Sequence, residues 1–207
     1  MNANFKITKG TIVIISLFLY ITILQSCDIK NRKSDNYSKA IELTNEGAQL
    51  MQRMEYDSAL VFFKKAIRKD KNYYISYSYM TGVYISKKQY DKALKVSNKL
   101  IKIKPDLAEG WTLAGMLYDW QGDSIAAAKN YKKSIELFND RINNPDEQKD
   151  LFANKLNRAI SFILVGQDKK GKDDLEKLKA ENPDYLMIDE FIKMSKRDII
   201  KQTIDNQ

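Results

Sequence analysis

From about Ala40 onward, apolar residues keep helical spacing and charged residues fill the positions between them. The stretches YDSALVFFKKAI (56–67), YDKALKVSNKLI (90–101) and DSIAAAKNYKKSI (123–135) show this most plainly. Such a pattern gives a helix one apolar face and one solvated face. Helix breakers are scarce, at 8 Gly and 3 Pro in 207 residues, while Lys, Leu, Ile, Ala and Glu abound. Long helices and an all-α class follow. The run KNYYISYSYMTGVY (71–84) reads as a strand by propensity alone. Its phase with the neighbouring segments makes it a helix with Tyr77 and Tyr84 inward. Tyr74 and Tyr79 then either pack against adjacent hairpins or form a stacking surface for glycan or peptide.

The pattern also repeats on a longer scale. Ala59, Ala93 and Ala127 stand 34 residues apart. The third unit, 108–141, carries Trp111, Leu113, Ala114, Gly115 and Tyr118, then Ala127, Tyr131 and Ser134. Period and residues together resemble the tetratricopeptide repeat. The first unit, 40–73, has Leu43, Gly47, Leu50, Ala59, Phe63 and Ala66. The second, 74–107, has Tyr77, Tyr84, Ala93 and Pro105, with Thr81 where glycine is expected. An insertion of about ten residues near 143–151 breaks the phase, and a fourth unit follows at 152–185 with Ala159, Phe162, Gly171, Leu175 and Pro183. The resemblance implies a right-handed superhelical solenoid of about four helical hairpins, with a repeat domain over 39–185. Small residues let paired helices approach, aromatics fill wider gaps, Gly122 and Asp123 end one helix and cap the next, and Pro105 and Pro183 stop second helices. An amphipathic helix within 186–207, with Leu186, Phe191, Met194, Ile199 and Ile200 along its apolar side, is expected to cap the stack.

The first thirty residues follow another rule. Lys6 and Lys9 precede GTIVIISLFLYITIL (10–24), an uncharged apolar run short for a membrane span. This is the layout of an export signal. Leu24-Gln25-Ser26-Cys27 resembles the lipobox of bacterial lipoproteins, matching at Leu24, Ser26 and Cys27 and departing at Gln25. The resemblance implies a signal peptide over 1–26, a diacylated Cys27 as first mature residue, and a polar tether over 27–38. The protein is then expected at the cell envelope, lipid-anchored on the periplasmic face or at the outer membrane.

Charge and composition restrict the chemistry. The net charge is +8, or +6 without Lys6 and Lys9, and the lysines are interspersed with acids. They read as solvated helix faces and not as a nucleic-acid footprint. The chain has no histidine and one cysteine, which excludes Ser-His-Asp and Cys-His catalysis, His-based zinc sites and any intrachain disulfide. No catalytic residue, metal or cofactor is expected. In the repeat family the first helix of each hairpin lines a concave groove. Projected onto this chain, the groove is Thr44, Ala48 and Met51; Ser78, Gly82 and Ile85; and Thr112, Met116 and Asp119. That neutral lining lacks the Lys, Arg and Asn of the clamp with which some relatives grip chaperone C-termini. It suits an apolar or helical segment of a partner protein. The expected function is a membrane-anchored scaffold. A dedicated immunity-type or glycan-associated envelope protein is the alternative, and a carboxylate-based enzyme is disfavoured because Asp119 alone stands in the groove.

Overall fold

A computed structural model describes residues 35–144 and 151–205. Within these residues the chain is helical throughout, with no strand. Helix α1 covers 35–52. It is followed by α2 (Tyr56–Lys69), α3 (Tyr74–Ser86), α4 (Tyr90–Ile103), α5 (Ala108–Trp120), α6 (Ser124–Asn143), α7 (Leu151–Leu164), α8 (Asp168–Glu181), α9 (Met187–Lys193) and α10 (Lys196–Ile204). Consecutive helices pack as antiparallel hairpins, α3 on α4, α5 on α6 and α7 on α8, and each hairpin packs on the next. The result is an all-α right-handed solenoid of about four hairpins.

The repeat is written into the backbone as well as the side chains. Met54, Lys88 and Gly122 stand 34 residues apart and all have positive φ, at 61°, 55° and 85°. Each ends the first helix of its hairpin. The next backbone N–H closes back on a carbonyl five residues earlier: Glu55 on Leu50, Gln89 on Tyr84 and Asp123 on Tyr118, at 2.8–2.9 Å. Gly166 (φ 89°), with Gln167 donating to the Phe162 carbonyl, repeats the device 44 residues after Gly122. The displaced phase therefore matches the insertion read from the sequence. Helix α6 takes up part of it by running 20 residues where α2 and α4 have 14. Residues 145–150, within that insertion, lie outside the described residues.

Ala59, Ala93 and Ala127 are fully buried where paired helices cross. Beside them the helices are matched by volume. A Cβ on Gly47 would stand 2.5 Å from Phe63, and one on Gly115 would stand 2.5 Å from Tyr131. Thr81 and Ser97 hold the equivalent places in the second unit, and both are fully buried. A larger residue on the first helix thus accompanies a smaller one on the second. The departure at Thr81 is an exchange of volume between facing positions. The aromatic at the Trp111 place is also tied down. Trp111 Nε1 donates to the Pro105 carbonyl at 2.8 Å, and Tyr77 Oη donates to the Lys71 carbonyl at 3.1 Å, 34 residues earlier in both cases. Tyr79 stacks on Phe63, 5.4 Å apart and nearly parallel, so packing accounts for it.

The C-terminal end differs from expectation. The single helix expected within 186–207 is two, because the backbone turns extended at Met194 and Ser195. Ser195 then caps α10 by accepting from Asp198 N, while the Asp198 carboxylate accepts from Ser195 N at 2.9 Å. This reciprocal box makes a new helix start cheaper than continuation. Helix α9 covers α8, with Ile188 fully buried and Lys179 ion-paired to Asp189. Helix α10 goes elsewhere.

Candidate functional site

Helices α1, α3, α5 and α7 are the first helices of the four hairpins, and their free sides form the concave face. Near the N-terminal end, Ala48, Met51, Ser78 and Gly82 are all partly exposed. Met51 lies over Gly82, its methyl 3.5 Å from where a Cβ on Gly82 would be. That is ordinary van der Waals distance, so Met51 of α1 and Gly82 of α3 are neighbours across this face. Thr44, projected into this lining, is 1% exposed. Its hydroxyl bonds the Ala40 carbonyl and Ser76 Oγ, each at 2.7 Å, and so joins α1 to α3 in place of facing a ligand. Thr112 joins α5 to α7 in a similar way through Ser161 Oγ at 3.3 Å. It keeps one edge on a cavity of about 170 Å³ with Met116, Asn157 and Thr203.

The other half of the groove is filled. Helix α10 packs on α5 and α7, the first helices of the third and fourth hairpins. Ile199, Ile200 and Ile204 are buried in the same core as Met80, Tyr84, Ile85, Met116 and Leu117. Of the projected groove residues, Ile85 is 4% and Met116 6% exposed. Asp119 is the polar anchor. Its Oδ2 accepts from Tyr131 Oη at 2.9 Å and pairs with Lys196 Nζ at 2.7 Å. The ammonium also sits 5.4 Å from the Tyr131 ring centroid. Tyr131 is fully buried, and burial first, then the Asp119 charge, pushes its phenol pKa far up, so it remains a donor. At the far end of α10, Asp205 meets Lys88 Nζ at 3.2 Å and accepts from Tyr90 Oη at 3.4 Å. Burial and the Asp205 charge raise the Tyr90 pKa as well. Lys88 and Tyr90 belong to the turn and helix start of the second hairpin, so α10 spans three hairpins.

Of the projected residues, Ala48, Met51, Ser78 and Gly82 are partly exposed and Thr44, Ile85 and Met116 are buried, and the projection does not include the residues of α10. Lys196, Ile204 and Asp205 carry no 34-residue phase. The signal available was Ser195 and Asp198 at capping-box spacing, which marks a second helix start. Cys27 and the apolar run before it lie outside the described residues.

Fold and groove together define a tetratricopeptide-repeat solenoid. A profile described as "Tetratricopeptide repeat" matches residues 82–107 and 108–141, so the chain carries these repeats. Over 97 residues, 47% of this chain and 16% of the relative, it is 34% identical to the heat shock protein sti1 homolog of Schizosaccharomyces pombe. Over 154 residues it is 26% identical to the Hsp70-Hsp90 organising protein of Plasmodium falciparum, covering 72% of this chain and 60% of that one. The chain spans less than two thirds of either relative. Among solved structures, PilW, described as a widely conserved type IV pilus biogenesis factor, superposes with a TM-score of 0.55 at 19% identity over 72% of this chain and 64% of that one. A tetratricopeptide repeat protein from Parabacteroides merdae gives 0.54 at 20% identity over 74% and 56%. At these identities the likeness concerns the fold.

Proposed function

We propose that this protein is a lipid-anchored scaffold that holds a peptide or helical segment of another envelope protein on its concave face. The observation that carries this is the groove's lining. Ala48, Met51, Ser78 and Gly82 present a half-buried, uncharged trough beside a stretch that already accommodates a helix. Such a surface offers apolar contact and shape, which suits a protein segment. The resemblance of the repeats to co-chaperone scaffolds supports a protein partner. The absence of histidine, with Asp119 committed to Tyr131 and Lys196, supports action by binding geometry without catalysis.

In this reading acylated Cys27 fixes the scaffold to the membrane and residues 28–38 tether it. Two or more acyl chains make such an anchor effectively stable, since each buried methylene contributes about 0.8 kcal/mol. The test uses the full chain with a photo-crosslinking residue at position 51 or 82, with and without Cys27→Ala, in a bacterial host. The expected result is acyl label and membrane attachment lost with Cys27→Ala, and one discrete crosslinked partner at both groove positions. Loss of label without loss of attachment would refute the lipid anchor. Crosslinks no different from those of a site on the convex face would refute the groove.

A further inference from the structure

Helix α10 differs from the other helices in the way it is held. It lies outside the hairpin series, begins after an extended break at Met194–Ser195, and has nine residues, of which Arg197, Asp198, Lys201 and Gln202 are exposed. An isolated helix of that length is not stable in water, so its order depends on what it rests on. It rests on the face that the repeat architecture leaves free. The contact consists of one apolar edge with an ion pair near each end, Lys196 to Asp119 and Asp205 to Lys88. Beside it runs an open cleft of about 860 Å³ that includes Trp120, itself 37% exposed and packed against Tyr90. Helix α10 therefore has the seating of a bound ligand helix, joined to the receptor by the chain.

The geometry points to α10 as an intramolecular occupant of the partner site, displaced by an amphipathic helix of the partner that carries a cation followed by apolar residues three, four and eight positions later. That spacing is the one Lys196, Ile199, Ile200 and Ile204 present to the groove. This inference rests on the scaffold reading and adds the class of partner and the control of access. The partner's cation replaces Lys196 at Asp119, a carboxylate that otherwise would be left beside the Tyr131 hydroxyl without a counter-charge. The partner's apolar edge takes the places of the three isoleucines. While α10 is seated, apparent affinity is reduced by the fraction of molecules in which it is not.

The test uses the full chain in detergent, as wild type, Ile204→Asp and Lys196→Glu. Two fluorescent peptides serve as probes: residues 195–205, and an unrelated designed helix that keeps only a lysine and apolar residues at the equivalent positions. Thermal melting by circular dichroism checks that the variants keep the repeat fold. Both peptides are expected to bind the variants at least ~10-fold more tightly than wild type. Equal binding by all three proteins would overturn the inference and leave the scaffold reading intact. Folded variants that bind neither peptide would also overturn it, and the crosslinks at positions 51 and 82, in the part of the groove left partly exposed, would still decide the scaffold reading. A Lys196→Glu protein that sediments as a dimer and resists both peptides would make a second copy the occupant, which equally overturns a foreign partner.

Discussion

At the residue scale, Met54 occupies a position that the repeat gives to glycine in its third and fourth hairpins. Its φ of 61° costs an L-residue about 1–2 kcal/mol, and the side chain is 74% exposed, so it returns little packing. Met54→Gly should raise stability by about 0.5–1 kcal/mol after glycine's own entropy cost, read as a shifted denaturation midpoint. Lys88→Gly relieves the same strain but removes the partner of Asp205, so its gain should be smaller. Ser97 gives a second case. It is fully buried and its Oγ has no hydrogen-bond partner among the described residues. Ser97→Ala removes an unsatisfied hydroxyl at almost constant volume and should stabilise by about 1 kcal/mol. A loss of stability on that change would mean that a water satisfies the hydroxyl.

At the element scale, α10 is the helix whose place depends most on solution conditions. Burying an isoleucine contributes about 1.5–3 kcal/mol, and α10 has three, against about 1–2 kcal/mol per residue of backbone order. The two end pairs add little each, being partly exposed and open to screening. Raising salt from low to molar concentration should therefore speed amide exchange in α10 while leaving α6 unchanged. Acid should act on the same helix. The Ser195 hydroxyl and backbone N–H hold the Asp198 carboxyl below its usual range. Its folded pKa lies below the unfolded one, so its contribution is present above about pH 4 and lost as pH falls through the folded value. Exchange in α10 should accelerate there, and Asp198→Asn should remove that acid step. The contrast with the hairpins explains what could be read in advance. Ala59, Ala93, Ala127, Gly115 and Trp111 declare themselves because the same contact is made again every 34 residues. Helix α10 makes its contact once, with residues far away in sequence, and only its local start signal and the apolar side at Ile199 and Ile200 are visible in the chain. The fold was therefore legible, while the burial of Thr44, Ile85 and Met116 and the helix that packs over part of the face were not. Thr44 shows the finer limit: a groove position in register can still be turned sideways into the neighbouring hairpin when Ser76 stands opposite.

At the scale of the whole molecule, a solenoid is held by contacts between neighbours, so its ends are supported on one side only. The two ends here are not equivalent. At the C-terminal end, α9 covers α8 and α10 returns across three hairpins, which ties the last repeats to the second through Asp205 and Lys88. At the N-terminal end, α1 contributes Ala40 and Leu43 to a small separate cluster with Ala66 and Tyr73. Toward its far end α1 reaches the main core, with Gly47 against Phe63 and Leu50 and Met51 packed on it. Opening should therefore begin at α1 and spread toward α3, leaving α5 to α8 protected longest. Native-state hydrogen exchange should show α1 amides exchanging through a low-energy local opening and α5 and α6 amides exchanging only near the global limit. Displacing α10 by Ile204→Asp should lower protection in α5 and α7 without changing α1, because the return tie is lost while the first hairpin is untouched. If α1 were to lose protection equally, the stack would be one cooperative unit, and a partner that displaced α10 could then transmit its arrival to the first hairpin through the array.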